Sequence, residues 1–371
     1  MMDPPTRVGR TARGCMQARN SLVENSALTL LIDGKTLMTS RERVRAAIHF
    51  QGPDRIPHFL PDGKENDIEW LWLPRPGPVQ DWKNEGAIDT MIDCWGTKFY
   101  RMKGGVIGRG EVLEPIIKDI QRQAEYILPD LHKAEYFHDA AARICATKGS
   151  ANPKYCLGVM PFASLNEGTH NLMTIEAMFM AYYESPEALK AFIARLAAKQ
   201  KESIRLLHQI GCDGIMGYDD WGLQNSLMIK PGLIAEFFLP HYRENWDYAH
   251  SLGLDVWLHS CGHIIDLLPL LKEAGLNVIQ QDQQENMGLE QLAAKVGGKL
   301  AFWCPVDIQK TMIDGSLDDI RNYAKRMIET LGAFKGGFIS MAYTQPNEVN
   351  HTPDKLAAMC DAFRLWEARG C

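Results

Sequence analysis

The stretch Asp255-Val-Trp-Leu-His-Ser-Cys-Gly262 holds the side chains with the most chemistry to offer. Val256, Trp257 and Leu258 read as a short buried strand. His259 and Cys261 follow it, and a helix pattern runs from Ile264 to Ala274. An imidazole and a thiol one residue apart, where a strand gives way to a helix, lie where parallel α/β folds bind ligands. Both can face one ion, and zinc suits a nitrogen and sulfur donor pair. Polar runs also follow other strand-like segments: Tyr218-Asp-Asp-Trp-Gly-Leu-Gln224, Gln281-Asp-Gln-Gln-Glu285, Cys304-Pro-Val-Asp307 and Tyr343-Thr-Gln345. The site expected from them is Zn²⁺ held by His259, Cys261, Cys304 and Asp282. Asp219 and Asp220 are its catalytic carboxylates, and Trp221, Gln224 and Tyr343 contact substrate. Trp70 and Trp72, with Trp221, line an apolar substrate pocket or simply pack.

Plainer readings stand beside these. A free cysteine is often a small buried hydrophobe. Asp282 serves equally well as a cap for the next helix, and Asp307 reads as an acceptor for loop amides. Asp219 and Asp220 are not expected to cap a helix, because the next helix pattern starts only after Pro231. Thiolates retain zinc against harder cations, and zinc brings no redox chemistry of its own. Group transfer or hydrolysis is favoured over electron transfer.

The elements that would hold such a site repeat regularly. Strand-like runs at 157–160, 214–217, 256–258, 278–280, 300–303 and 338–341 alternate with helix patterns at 174–208 (broken at Ser185-Pro186), 231–252, 264–274, 288–296, 316–331 and 353–368. Thr39-Ser-Arg-Glu42 is a capping box that opens an earlier helix. With strands expected at 56–60 and within 88–120, eight βα-type units suit a closed (β/α)₈ barrel forming a single domain over 38–371. Residues 61–85, rich in Trp and Pro, read as an excursion, 128–145 as mostly helical, and 1–37 as a disordered N-terminal leader. The alternative, a doubly wound sheet, lacks a G-x-G-x-x-G after any strand.

The chain has 371 residues, of which 46% are hydrophobic and 23% charged, enough for a core of full size. A net charge of −6 argues against nucleic acid as a partner. No apolar run of transmembrane length is present, so no membrane association is expected. With no secretory signal pattern, a reducing cytoplasm is expected. The nine cysteines are then thiols or ligands.

Met38-Thr-Ser-Arg-Glu-Arg-Val-Arg-Ala-Ala-Ile, Pro53-Asp-Arg-Ile-Pro57, Val256-Trp-Leu-His-Ser-Cys-Gly262, Phe302-Trp-Cys-Pro-Val-Asp307 and Gly336-Gly-Phe-Ile339 resemble landmarks of the uroporphyrinogen decarboxylase superfamily. The resemblance spans about residues 38–368 and implies a (β/α)₈ barrel with its site at the carboxyl ends of the strands. It implies one of two chemistries. True decarboxylases carry arginines just after the first strand, where this chain has His58-Phe-Leu-Pro-Asp-Gly-Lys-Glu65. The zinc-dependent methyltransferases use a His-x-Cys pair, which His259 and Cys261 match, plus a distant Cys in the last strand's loop. That loop here is Ala342-Tyr343-Thr344, so Cys304, one strand earlier, would substitute. The expectation is therefore a zinc-dependent methyltransferase taking a methyl group from a methylated small molecule, such as a methyl ether, to a corrinoid on a separate carrier protein. A metal-free carboxy-lyase and a barrel that only binds a ligand remain as alternatives, and a homodimer is left open.

Overall fold

The computed structural model describes residues 31–32, 35–74, 77, 80–103, 110–131, 137–162, 164–344 and 346–367. Gln345 and residues 1–30 of the expected leader lie outside the described residues. The remainder of that leader includes Leu31–Ile32 paired antiparallel with Lys35–Thr36.

Eight parallel strands form the barrel: β1 (His58–Phe59), β2 (Ile68–Trp72), β3 (Tyr155–Val159), β4 (Gly214–Tyr218), β5 (Asp255–His259), β6 (Val278–Gln280), β7 (Ala301–Cys304) and β8 (Phe338–Met341). Their order around the ring is β1-β8-β7-β6-β5-β4-β3-β2. At the seam between β2 and β1, Asp67 N–H donates to His58 O and His58 N–H donates to Asp67 Oδ2, both at 2.9 Å. The expected (β/α)₈ fold is the observed one.

Side chains alternate across each strand, as the two-residue period requires. Leu157, Met216, Trp257, Val278, Trp303 and Ile339 point into the barrel. Cys156, Ile215, Leu258, Ile279, Phe302 and Cys304 belong to the layer between strands and outer helices. Helix α1 (Ser40–Ile48) starts with the expected capping box of Thr39 and Glu42. Its Val44, Ala47 and Ile48 pack against the inward-facing strand residues, so α1 plugs the floor and leaves the carboxyl ends of the strands as the open face.

The outer helices follow the expected rhythm. After β3 come α3 (Asn166–Met173), α4 (Ile175–Glu184) and α5 (Pro186–Ile210), with the break at Ser185 where it was expected. After β4 come α6 (Pro231–Phe237) and α7 (Leu239–Ser251). α8 (Leu268–Glu273) follows β5, α9 (Leu289–Val296) follows β6, α10 (Thr311–Asp314) and α11 (Leu317–Leu331) follow β7, and α12 (Pro353–Glu367) ends the described chain. No helix among the described residues is long and apolar enough to cross a membrane.

One stretch is assigned differently. The second barrel strand comes not from 88–120 but from Ile68-Glu-Trp-Leu-Trp72, inside the expected excursion. Its alternation is real: Ile68 and Trp70 face the barrel and Leu71 faces the helices. Prolines nearby hide it. Lys83–Glu85, Ile88–Ile92, Lys98–Met102 and Glu111–Glu114 instead form a separate antiparallel sheet. The helix expected over 128–145 begins ten residues later, as α2 (His138–Lys148).

Candidate metal centre and its aromatic wall

The inward row at the carboxyl edge of the sheet is set by strand register. Tyr218 of β4 lies beside His259 of β5, His259 beside Gln280 of β6, and Gln280 beside Trp303 of β7. His259 therefore faces the barrel because Trp257, two residues earlier, does.

The loops after β4 and β5 are zipped together. Asp219 N–H donates to His259 O at 3.0 Å, Trp221 N–H to Ser260 Oγ at 3.1 Å, and Gly222 N–H to Cys261 O at 3.1 Å. Cys261 N–H donates to Asp220 Oδ1 at 2.7 Å. This lattice brings three donors of different kinds together. His259 Nε2 lies 3.3 Å from Cys261 Sγ and 3.4 Å from Asp220 Oδ1. Among the described residues, Asp220, His259 and Cys261 are the one group whose ligand atoms all lie within 4.8 Å of one another.

That geometry fits zinc. With bonds of about 2.0–2.3 Å, two ligand atoms at neighbouring corners of a tetrahedron stand roughly 3.3–3.8 Å apart. Three protein donors leave the fourth corner for a reactant, the pattern of catalytic sites. The field fits too. Burial pushes the Cys261 thiol up, and the charges of Asp220 and Asp282 push it further. A cation placed there reverses that penalty. His259 Nδ1 is bonded to Gln280 Oε1, so the ring's second nitrogen is already engaged.

The family model for uroporphyrinogen decarboxylase (URO-D) matches residues 107–366. The chain belongs to the uroporphyrinogen decarboxylase family. This URO-D family chain has no match among curated protein sequences. In structure it resembles a methyltransferase from Methanosarcina mazei, with a TM-score of 0.63 at 12% identity over 89% of this chain and 99% of that one. At that identity the likeness is one of fold. A D-psicose 3-epimerase overlaps with a TM-score of 0.39 at 12% identity, covering 66% of this chain and 85% of its own. An endo-β-1,4-xylanase from Gloeophyllum trabeum overlaps with 0.37 at 9% identity, covering 64% and 83%.

In this URO-D barrel the remaining expected site residues separate. Cys304 is fully buried on the helix side of β7 and lies outside the donor group. The cause is parity: Trp303 takes the inward position, so its neighbour must face out. Asp282 also lies outside the group; its carboxylate accepts from Gln280 Nε2 at 2.8 Å, and burial pushes its carboxyl up. Trp221 is fully buried against Phe238, in the helix layer and not at the substrate face. Gln224 spans two loops, donating to Gln309 Oε1 at 3.0 Å and Asn286 Oδ1 at 3.2 Å. Tyr343 packs edge-on to His351. Asp307 does what was expected of it, accepting from Lys310 N–H at 2.9 Å and Thr311 N–H at 3.0 Å.

The two adjacent aspartates have different surroundings. Asp219 points away from the barrel and is fully buried. It accepts from Leu165 N–H at 2.8 Å, Glu167 N–H at 3.0 Å and the Tyr242 hydroxyl. It is a helix cap after all, for α3, which starts 53 residues before it in the chain. Burial pushes its carboxyl up to about 7. An asparagine there offers only one acceptor oxygen, so either the Leu165 or the Glu167 amide loses its partner. Asp219→Asn is expected to lower unfolding stability by roughly 1–3 kcal/mol, read as a shifted denaturant midpoint. An unchanged midpoint would contradict the capping role.

Two features escaped the sequence reading. Asn166 Nδ2 donates to Asp220 O at 3.0 Å, so α3 is fastened to the donor loop on both sides. The helix over 166–173 shows no clear apolar stripe, which is why it was missed. The second feature is a continuous aromatic wall. Tyr218 lies 5.3 Å from the His259 ring and tilted to it, Trp72 lies 5.4 Å from Tyr218, and Trp70 lies 5.4 Å from Trp72 and 5.3 Å from Trp303. Trp72, 56% exposed, marks the outer end. Of the three tryptophans considered for a substrate pocket, two stand in this wall.

Proposed function

We propose that the chain is a zinc-dependent methyltransferase that takes the methyl group of a methyl ether and passes it to a corrinoid carried by a separate protein. The observation carrying this reading is the convergence of Asp220, His259 and Cys261 at the open end of the barrel. These three residues would hold the zinc, with Asp220 in the place expected of Cys304. Zinc there supplies Lewis acidity that makes an ether oxygen a better leaving group. The ether oxygen would leave with the electron pair of its C–O bond and take up a proton, and the corrinoid's Co(I) would supply the electron pair that accepts the methyl group. Trp70, Trp72 and Tyr218, backed by the buried Trp303, offer flat apolar faces, which suit an aromatic ether and exclude water around the reacting carbon.

Three arginines near β1 are already committed elsewhere. Arg41 pairs with Asp213 at 2.7 Å, Arg43 with Asp54 at 2.5 Å and with Asp67 at 2.7 Å, and Arg55 with Asp67 at 2.8 Å. A porphyrinogen's carboxylates need cationic partners, and these arginines do not supply them.

The test is metal analysis of the purified protein together with an anaerobic assay of free cob(I)alamin and a methoxylated aromatic compound. The expected result is about one zinc per chain and the absorbance change of methylcobalamin formation. Protein without zinc and without methyl transfer overturns the reading. Decarboxylation by metal-free protein supports the carboxy-lyase instead.

A further inference from the structure

The Gln280 side chain is bonded at both ends, and the two bonds are chemically linked. Its amide nitrogen faces Asp282 Oδ1 at 2.8 Å and Met341 Sδ at 3.2 Å. A carboxylate only accepts, so the NH₂ end belongs on that side. The amide oxygen is then turned onto His259 Nδ1. An oxygen at that position requires hydrogen on Nδ1. In a neutral ring the lone pair is left on Nε2, the atom that faces Cys261 and Asp220.

We propose that Asp282 and Gln280 are positioning residues that set the tautomer of His259, so that Nε2 is presented as a metal-donor atom. Asp282 thereby contributes to the site from two hydrogen bonds away, where the sequence suggested direct ligation. The reversed amide would set oxygen against the Asp282 carboxylate and NH₂ against Nδ1, forcing the hydrogen onto Nε2. Gln280 and Asp282 are 4% and 5% exposed, so water does not compete for these bonds. Partners of this kind raise metal affinity by about 10–100-fold in zinc sites. The inference rests on the metal reading above for its purpose, but not for its measurement.

The tautomer is read directly by ¹⁵N NMR of imidazole-labelled, zinc-free protein. Wild-type His259 is expected as the Nδ1–H form. Gln280→Leu and Asp282→Leu should give a mixture or the Nε2–H form, with zinc affinity reduced about 10–100-fold in a chelator competition. Asp282→Asn keeps an oxygen that can accept from Gln280, so it should retain the wild-type tautomer and most of the affinity. An Nε2–H ring in the wild type, or an unchanged tautomer in a folded Gln280→Leu protein, overturns the proposal. Should Asp282→Leu not fold, the wild type and Gln280→Leu decide it. A wild type with the Nδ1–H tautomer that binds no zinc counts against the metal reading and leaves the relay standing.

Discussion

In a Cys261→Ser protein the zinc content is expected to fall from about one per chain to near zero, with methyl transfer lost alongside it. A serine hydroxyl at this place does not ionise near neutral pH, and it is a hard oxygen where the proposed site relies on a soft sulfur to select zinc. Only His259 and Asp220 would remain of the donor group. Cys304→Ala is the matching control. Cys304 belongs to the buried layer between strands and outer helices, so its loss should leave zinc in place. The cost there is a small cavity, about 1 kcal/mol of stability. Metal analysis and a denaturant curve on both proteins separate the outcomes. Zinc lost with Cys304 and retained without Cys261 would sink the assignment of the site.

That contrast also shows where sequence reading reached its limit. The βα rhythm from 155 onward was legible because buried parallel strands are short apolar runs and their helices carry clear caps and breaks, as at Ser185-Pro186. His259 and Cys261 were legible because two residues of separation keeps both on one side of a strand end. Cys304 was not, because Ala301-Phe-Trp-Cys304 is apolar throughout. A strand buried on both faces carries no polar alternation from which to read which residues point inward. Trp303 takes the barrel side by packing against Trp257 and Trp70.

Contacts distant in sequence account for the other departures. Asp219 caps a helix that begins at Asn166, and no local pattern announces a cap supplied from another strand's loop. Asp282 had the right chemistry and the right loop, but lies one amide short of the donor group. Asp220, a catalytic carboxylate by sequence pattern alone, stands instead among the candidate ligands. Its position depends on the backbone bond from Cys261, which only the paired β4 and β5 loops create.

Those paired loops depend on two glycines, and Gly222→Ala tests them. A Cβ at Gly222 would lie 2.5 Å from Gly262 C, 2.5 Å from His263 N and 2.6 Å from Cys261 O. These are backbone atoms, which cannot swing aside as a side-chain tip can. Gly262 is worse as a test site, because its φ of +77° adds strain of its own. Gly222 has no positive φ, so alanine there probes space alone. Relief requires the loops to part by roughly 1 Å, a displacement that costs about 100-fold in a positioned active site. Asp220 rides on one loop and Cys261 on the other, so zinc affinity and methyl transfer should fall together by about that factor. Overpacking should cost only about 1–3 kcal/mol of stability, so the folded protein persists while the site fails. Gly232→Ala, with nothing within 4 Å of its Cβ, should change neither. Equal zinc affinity in the Gly222→Ala and Gly232→Ala proteins would mean that the apposition of the two loops does not hold the donors together.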